Sequence, residues 1–84
     1  MNETNEKEYG NKSDTWNFSI GSKIIVRRGN DKKGQIGKVV GFSKETKDER
    51  GRSEVLGRYM YVEVSPNKVL RVDAFDDSVE IGQR

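Results

Sequence analysis

The sequence predicts a small all-β domain of five short strands that follows a disordered N-terminal tail. Three observations lead to this prediction. No segment of the 84 residues keeps a helical period, short alternating apolar runs are separated by turn residues, and the first 15 residues are almost wholly polar. A chain of this length has room for one hydrophobic core.

The tail prediction rests on composition. Residues 1–15 contain only two apolar side chains, Met1 and Tyr9. Such a segment cannot bury enough apolar surface to offset the conformational entropy lost on ordering. We therefore expect a disordered tail over 1–15, dispensable for folding, and an ordered domain over 16–84.

A short leading strand and the first two of the five strands fill the first half of the ordered domain. Apolar residues at every second position of 16–20 predict a short leading strand, and β-branched residues are frequent over 22–28. A further run over 36–42 contains Gly37 and Gly41, where we expect a bend or a bulge.

The second half holds the remaining strands. Apolar and polar residues alternate over 59–64, and Ser-Pro-Asn-Lys at 65–68 predicts a tight turn. A strand is predicted over 69–74. A single helical turn at 75–77 and a last strand over 78–81 complete the domain.

Together these elements are typical of an SH3-like barrel. The segment 43–58 has only Val and Leu as apolar members and is predicted to be a long, mobile hairpin loop. A five-stranded OB-type barrel is the main rival, but it usually places a helix between its third and fourth strands. The tight turn at 65–68 leaves no room for that helix. Phe42 and Phe75 are expected in the core.

Composition excludes several kinds of site. With no cysteine and no histidine, the chain has no disulfide, no Cys/His zinc site, no thiol nucleophile and no imidazole base. Asp76 and Asp77 are better explained as caps of the helical turn than as catalytic acids. We expect no catalysis, no cofactor and no metal. Without a signal peptide or an apolar run of about 20 residues, a cytoplasmic monomer with no membrane contact is expected.

Residues 21–42 read GSKIIVRRGNDKKGQIGKVVGF, with motif glycines at Gly21, Gly29 and Gly37. Glycine suits positions where φ is positive or where two backbones approach closely. The segment resembles the KOW motif of ribosomal large-subunit proteins and of NusG-family transcription factors. That resemblance implies a KOW-type SH3-like barrel, a group whose members bind RNA, DNA or protein.

Charge is concentrated in the same part of the chain. Residues 21–44 contain seven basic side chains and Asp31 as the single acid, although the whole chain has a net charge of only +2. Such a cluster is the pattern expected for phosphate contacts. Alternatively, the cations only protect short edge strands from aggregation. The predicted phosphate-binding residues on this segment are Lys23, Arg27, Arg28, Lys32, Lys33 and Lys38.

Tyr59 and Tyr61 share the outward face of their strand. Exposed tyrosines can stack on unpaired bases, and both are predicted as nucleic-acid-binding residues. The arginines near them that could hold the phosphate backbone are Arg52, Arg58 and Arg71; of these, Arg58 joins the predicted site. The alternative is that both rings pack against Trp16 or Phe18 and serve only the fold.

These observations predict a non-catalytic module that binds RNA or DNA and acts with the ribosome or in transcription. One alternative is a protein-interaction module or small regulator that docks on a larger nucleic-acid-processing machine through loop 43–58. A second alternative is an accessory subunit of a larger assembly, since photosystem-type accessory barrels show a similar strand pattern.

Overall fold

The computed structural model describes residues 9–44, 49–53 and 55–83, and it contains one five-stranded antiparallel sheet. The strands are β1 (Lys23–Arg28), β2 (Gln35–Phe42), β3 (Tyr59–Ser65), β4 (Lys68–Asp73) and β5 (Val79–Gln83). Their order in the sheet is β4-β3-β2-β1-β5, so β5 returns to pair with β1. The predicted all-β class with five strands is confirmed.

The sheet curls around its core. The Arg28 guanidinium at the end of β1 donates to the Arg71 carbonyl of β4 at 2.7 Å, although β2 and β3 separate these strands in the sheet. The hydrogen-bonded order ends at β4 and β5, and closure into an SH3-like barrel remains a prediction. In the described part of the chain, no helix is long and apolar enough to cross a membrane.

The core is built from the inward positions of β1 to β4. Because side chains alternate across a strand, β1, β3 and β4 send every second residue inward, whereas Val39 and Phe42 of β2 are three positions apart because of a bulge. The buried members are Ile24, Val26, Val39, Phe42, Met60, Val62 and Val72. Half-buried side chains from the leading segment and from β5 pack against them, among them Trp16, Phe18 and Ile81. The core position predicted for Phe42 is confirmed, with 2% of its surface exposed.

A bulge and a tight turn expected from the sequence are both present. The β2–β3 register shifts between Val39 and Gly41, which confirms the predicted bulge in β2. Ser65 pairs with Lys68 across the β3–β4 turn, so the tight turn at 65–68 is also confirmed. Proline suits this turn because its ring presets the φ angle of the first central position.

The structure corrects the predicted tail. Residues 9–16, which we call the N-terminal strap, lie against β2 and the segment before β3. Gly10 and Phe42 exchange two backbone hydrogen bonds of 2.6 and 2.9 Å, and the Tyr9 ring stacks on Tyr61 at 4.5 Å between centroids. The disorder predicted for 9–15 is therefore wrong, whereas residues 1–8 lie outside the described residues.

Ser13 anchors the middle of the strap. Its hydroxyl donates to the Gly57 carbonyl at 2.9 Å and accepts the Trp16 N–H at 2.8 Å. Gly57 is buried beneath the strap, and an added Cβ there would lie 2.5 Å from the Ser13 Cα. Composition could not reveal this arrangement, because backbone groups and glycine surfaces carry most of the contacts.

Two truncations test the strap. Removing residues 1–15 should lower the free energy of unfolding by about 1–3 kcal/mol, because the Gly10, Ser13 and Asp14 hydrogen bonds and the Tyr9 stack are lost together. Removing residues 1–8 is the matched control and should change it by less than about 0.5 kcal/mol. Equal urea-unfolding midpoints for both truncations would show that the strap contributes nothing.

Three smaller expectations are also wrong. The segment 16–20 forms no strand, and Ile20 is exposed. Successive turns, closed by hydrogen bonds from Asp76 N–H to Asp73 O and from Val79 N–H to Asp76 O, replace the predicted helical turn at 75–77. Phe75 lies in these turns with 55% of its surface exposed and not in the core. The turns point its side chain away from the sheet interior, which the residue type alone did not indicate.

Candidate nucleic-acid interface

The β1–β2 turn is an ordered element that presents two lysines. The Asp31 carboxylate accepts the backbone N–H groups of Lys33 and Gly34 at 3.1 and 3.2 Å. The Arg27 Nε–H donates to the Lys32 carbonyl at 3.1 Å, which ties the turn back to β1. These bonds use backbone groups of the turn, and Lys32 and Lys33 are both exposed. Among the described residues, no carboxylate lies within ion-pair distance of either.

Further cations lie beside this turn. The cations Arg28 and Lys68 line an open cleft of about 240 Å³ together with Asp31, Val26, Gln35 and Leu70. The hydrogen bond from Arg28 to the Arg71 carbonyl brings Arg71 to the same side. Backbone bonding from Gly29 N–H to Ser78 O at 2.8 Å places the turns after β4 next to the β1–β2 turn. We call this cation cluster the basic end, and its members are Arg28, Lys32, Lys33, Lys68 and Arg71.

The remaining predicted cations lie on the outer face of the sheet. Lys23 and Lys38 are direct cross-strand partners, a juxtaposition of like charges that disfavours the pairing. Glu63 lies next to Lys38 on its other side, and Glu80 lies opposite Arg27. These acids reduce the positive potential of the outer face, as Asp31 does in the cleft of the basic end.

Tyr59 and Tyr61 face outward as predicted, but both rings have partners within the chain. Tyr61 is stacked on Tyr9, and guanidinium groups lie over Tyr59 from Arg71 at 4.7 Å and from Arg58 at 5.3 Å. Neither ring stacks on Trp16 or Phe18, so the packing partners expected for the tyrosines are wrong. Existing stacking partners argue against these tyrosines as the main surface for a base.

Arg58 joins the leading segment, β3 and the turns after β4. Its Nε and Nη2 donate to both carboxylate oxygens of Asp73 at 2.9 and 3.0 Å, and its guanidinium lies 5.0 Å from the centroid of the Phe75 ring. Its carbonyl accepts the Trp16 indole N–H at 3.0 Å. Two-pronged bonding of this kind fixes the plane of the guanidinium. Arg58 therefore acts first as a structural residue.

Two carboxylates of this region have shifted acidities. The Arg58 hydrogen bond lowers the pKa of Asp73, and burial opposes that effect only in part. The Ser78 hydroxyl, bonded at 2.7 Å, lowers the pKa of Asp76. Both groups are therefore anionic at neutral pH and balance part of the nearby positive charge.

The structure divides the predicted site. It groups Arg28, Lys32 and Lys33, and it places Lys23 and Lys38 together on another surface. Lys68 is absent from the predicted site residues because it lies in a different charge segment, about 40 residues along the chain. The sheet curl alone brings it to Arg28. In the sequence, Lys68 is only the first residue of an alternating strand, and that pattern does not indicate a position beside Arg28.

The motif glycines have the backbone features for which glycine is suited. Gly21 and Gly29 have φ angles of 94° and 56°, and Gly37 lies where the β2 and β3 backbones approach closely. Gly29 directly follows Arg28, so its turn directs the chain from β1 into the basic end.

The described residues contain no cluster of three or more acids that could hold a metal ion. Comparison with known proteins gives no relative, because no protein-family model, curated protein or solved structure matches the chain. The KOW resemblance therefore stays a prediction that rests on its own residues.

Proposed function

We propose that this protein is a non-catalytic nucleic-acid-binding module whose main contact surface is the basic end. The observation that carries the proposal is the ordered β1–β2 turn. It holds Lys32 and Lys33 in solvent beside Arg28, without a carboxylate within ion-pair distance of either lysine among the described residues. A rigid turn loses little backbone entropy when its side chains bind, and phosphate oxygens are the natural partners of such cations.

The outer face supplies secondary contacts. The close pair Lys23 and Lys38 would be relieved by an anion that bridges the two ammonium groups. Glu63 limits how far a phosphate backbone could continue toward β3. The contact surface therefore covers a few phosphates, and the KOW-type motif glycines support the same assignment.

Binding should depend steeply on salt. Each neutralised phosphate contributes about −0.9 to the slope of log K against log salt on duplex DNA and about −0.7 on single strands, so three or four contacts give a slope near −3. Fluorescence anisotropy with labelled duplex DNA, single-stranded DNA and RNA, each at salt concentrations from about 50 to 300 mM, measures this slope.

The outcomes separate the alternatives. A slope near −3 on at least one nucleic acid supports the proposal. Absence of binding to all three at the lowest salt concentration would overturn it and favour a protein partner. Loop 43–58 would then be the first surface to test, although residues 45–48 and 54 lie outside the described residues.

A further inference from the structure

Phe75 is an exposed aromatic ring held in a defined position next to the basic end. Its backbone N–H donates to the Asp73 carboxylate at 3.0 Å, and the same carboxylate binds the guanidinium that lies 5.0 Å from the ring centroid. The ring therefore has a fixed support on one side, although 55% of the residue is exposed. Such a ring presents an aromatic surface in solvent at little further cost in entropy.

Arg71 lies close by and has unused donors. Its guanidinium lies over the Tyr59 ring at 4.7 Å, and within the described residues no carboxylate is at ion-pair distance from it. A guanidinium stacked on a ring keeps its N–H groups directed outward in its own plane, which suits two-pronged binding of a phosphate. Arg58 also lies over Tyr59, but both oxygens of the Asp73 carboxylate already bind its guanidinium, so Arg71 is the arginine of this pair that can take a phosphate.

From these contacts, and on the basis of the proposed function, we propose that the basic end binds single-stranded nucleic acid. One unpaired base stacks on Phe75, and Arg71 binds an adjoining phosphate. The faces of bases are covered in a duplex, so only an unpaired base can use the Phe75 ring. The assignment moves the stacking role from Tyr59 and Tyr61, whose rings already have partners, to a residue predicted to be core.

The neighbouring acids limit the length of the contact. Asp76 and Asp77 directly follow Phe75, and both are exposed. Because the pKa of Asp76 is lowered by its bonds to Ser78, that group stays anionic and repels a phosphate on this side. The strand therefore leaves Phe75 toward Arg71, and the contact at the ring covers one or two nucleotides.

Substitution of Phe75 tests the stack. Phe75→Ala should weaken binding to a short single-stranded oligonucleotide by roughly 5- to 150-fold and leave duplex binding unchanged. The salt slope should stay constant, because no phosphate contact is removed. Val69→Ala is the matched control, since Val69 is an exposed apolar residue of the outer face of β4. It should bind both nucleic acids like the wild type.

Phe75→Trp gives a direct signal for the same contact. Its added indole fluorescence should be quenched by single-stranded oligonucleotide and not by duplex, with the wild-type Trp16 signal as the baseline. Arg71→Gln should reduce the single-strand salt slope by about 0.7.

Several results would overturn the proposal. One is single-strand binding by a folded Phe75→Ala variant that equals the wild type; Phe75 would then be open to a protein partner. Another is an equal loss of affinity of Phe75→Ala for duplex and for single strands, which would indicate a general structural role of Phe75. If duplex binding keeps its steep salt dependence in these cases, the proposed function stands without the stack. No binding of the wild type to any nucleic acid would remove both.

Discussion

Gly37→Val should lower the free energy of unfolding by about 2–3 kcal/mol, in the upper part of the roughly 1–3 kcal/mol typical of overpacking a well-packed interior. Gly37 faces the core from β2, and an added Cβ would lie 2.6 Å from Val62 Cγ1 and 2.7 Å from the Glu63 carbonyl oxygen. The second of these atoms is a backbone atom of the paired strand β3, so relief requires β2 and β3 to separate. Thermal unfolding followed by circular dichroism measures the effect.

For a domain of this size, 1 kcal/mol shifts Tm by roughly 4–8 °C, so Gly37→Val should melt about 10–20 °C below the wild type. Ile36→Val is the control, because Ile36 is the preceding residue of β2 and is 49% exposed. It should stay within about 0.5 kcal/mol of the wild type. Wild-type melting of Gly37→Val would mean that close approach is not the reason for glycine at this position.

The double substitution Lys32→Gln and Lys33→Gln should weaken binding to every nucleic acid and reduce the duplex salt slope by about two units. Glutamine keeps the length of the side chain and removes the charge. The fold of the turn should persist, because Asp31 and Arg27 bind its backbone groups and not the lysine side chains. Titrations at several salt concentrations give both affinity and slope.

Lys12→Gln is the control variant, because it also removes the charge of an exposed lysine, which lies on the strap. We expect no change of slope for this variant. If the double variant binds like the wild type, whereas Lys23→Gln with Lys38→Gln loses affinity, the outer face carries the phosphate contacts and the basic end does not.

Most of the strand framework could be predicted from local sequence. Alternation in β3, the proline turn at 65–68 and the bulge near Gly41 all depend on residues within a few positions of each other. The face of each strand that turns toward the core follows from this alternation, since a register shift of one residue would turn every core side chain of a strand outward. Met60 and Val62 are therefore buried as the alternation predicts.

The candidate site could be predicted only in part. Lys32 and Lys33 belong to one turn, and their exposure follows from the local sequence. Their grouping with Lys68 and Arg71 depends on how far the sheet curls, which the sum of many packing contacts decides. Charge segments along the chain therefore pointed to the β1–β2 turn and also included Lys23 and Lys38, which lie on a different surface.

By itself the sequence determined the strands, their inward faces and the position of the cationic turn, because these depend on periodicity and on local turn chemistry. Only the tertiary structure decided that residues 9–16 pack on the domain and that Phe75 is exposed. The reason is physical in both cases. The strap is held by backbone hydrogen bonds and by glycine surfaces some 30 to 45 residues away, which composition does not record. Phe75 is held outward by Asp73 and Arg58, whose two-pronged ion pair exists only when β3 and β4 lie side by side.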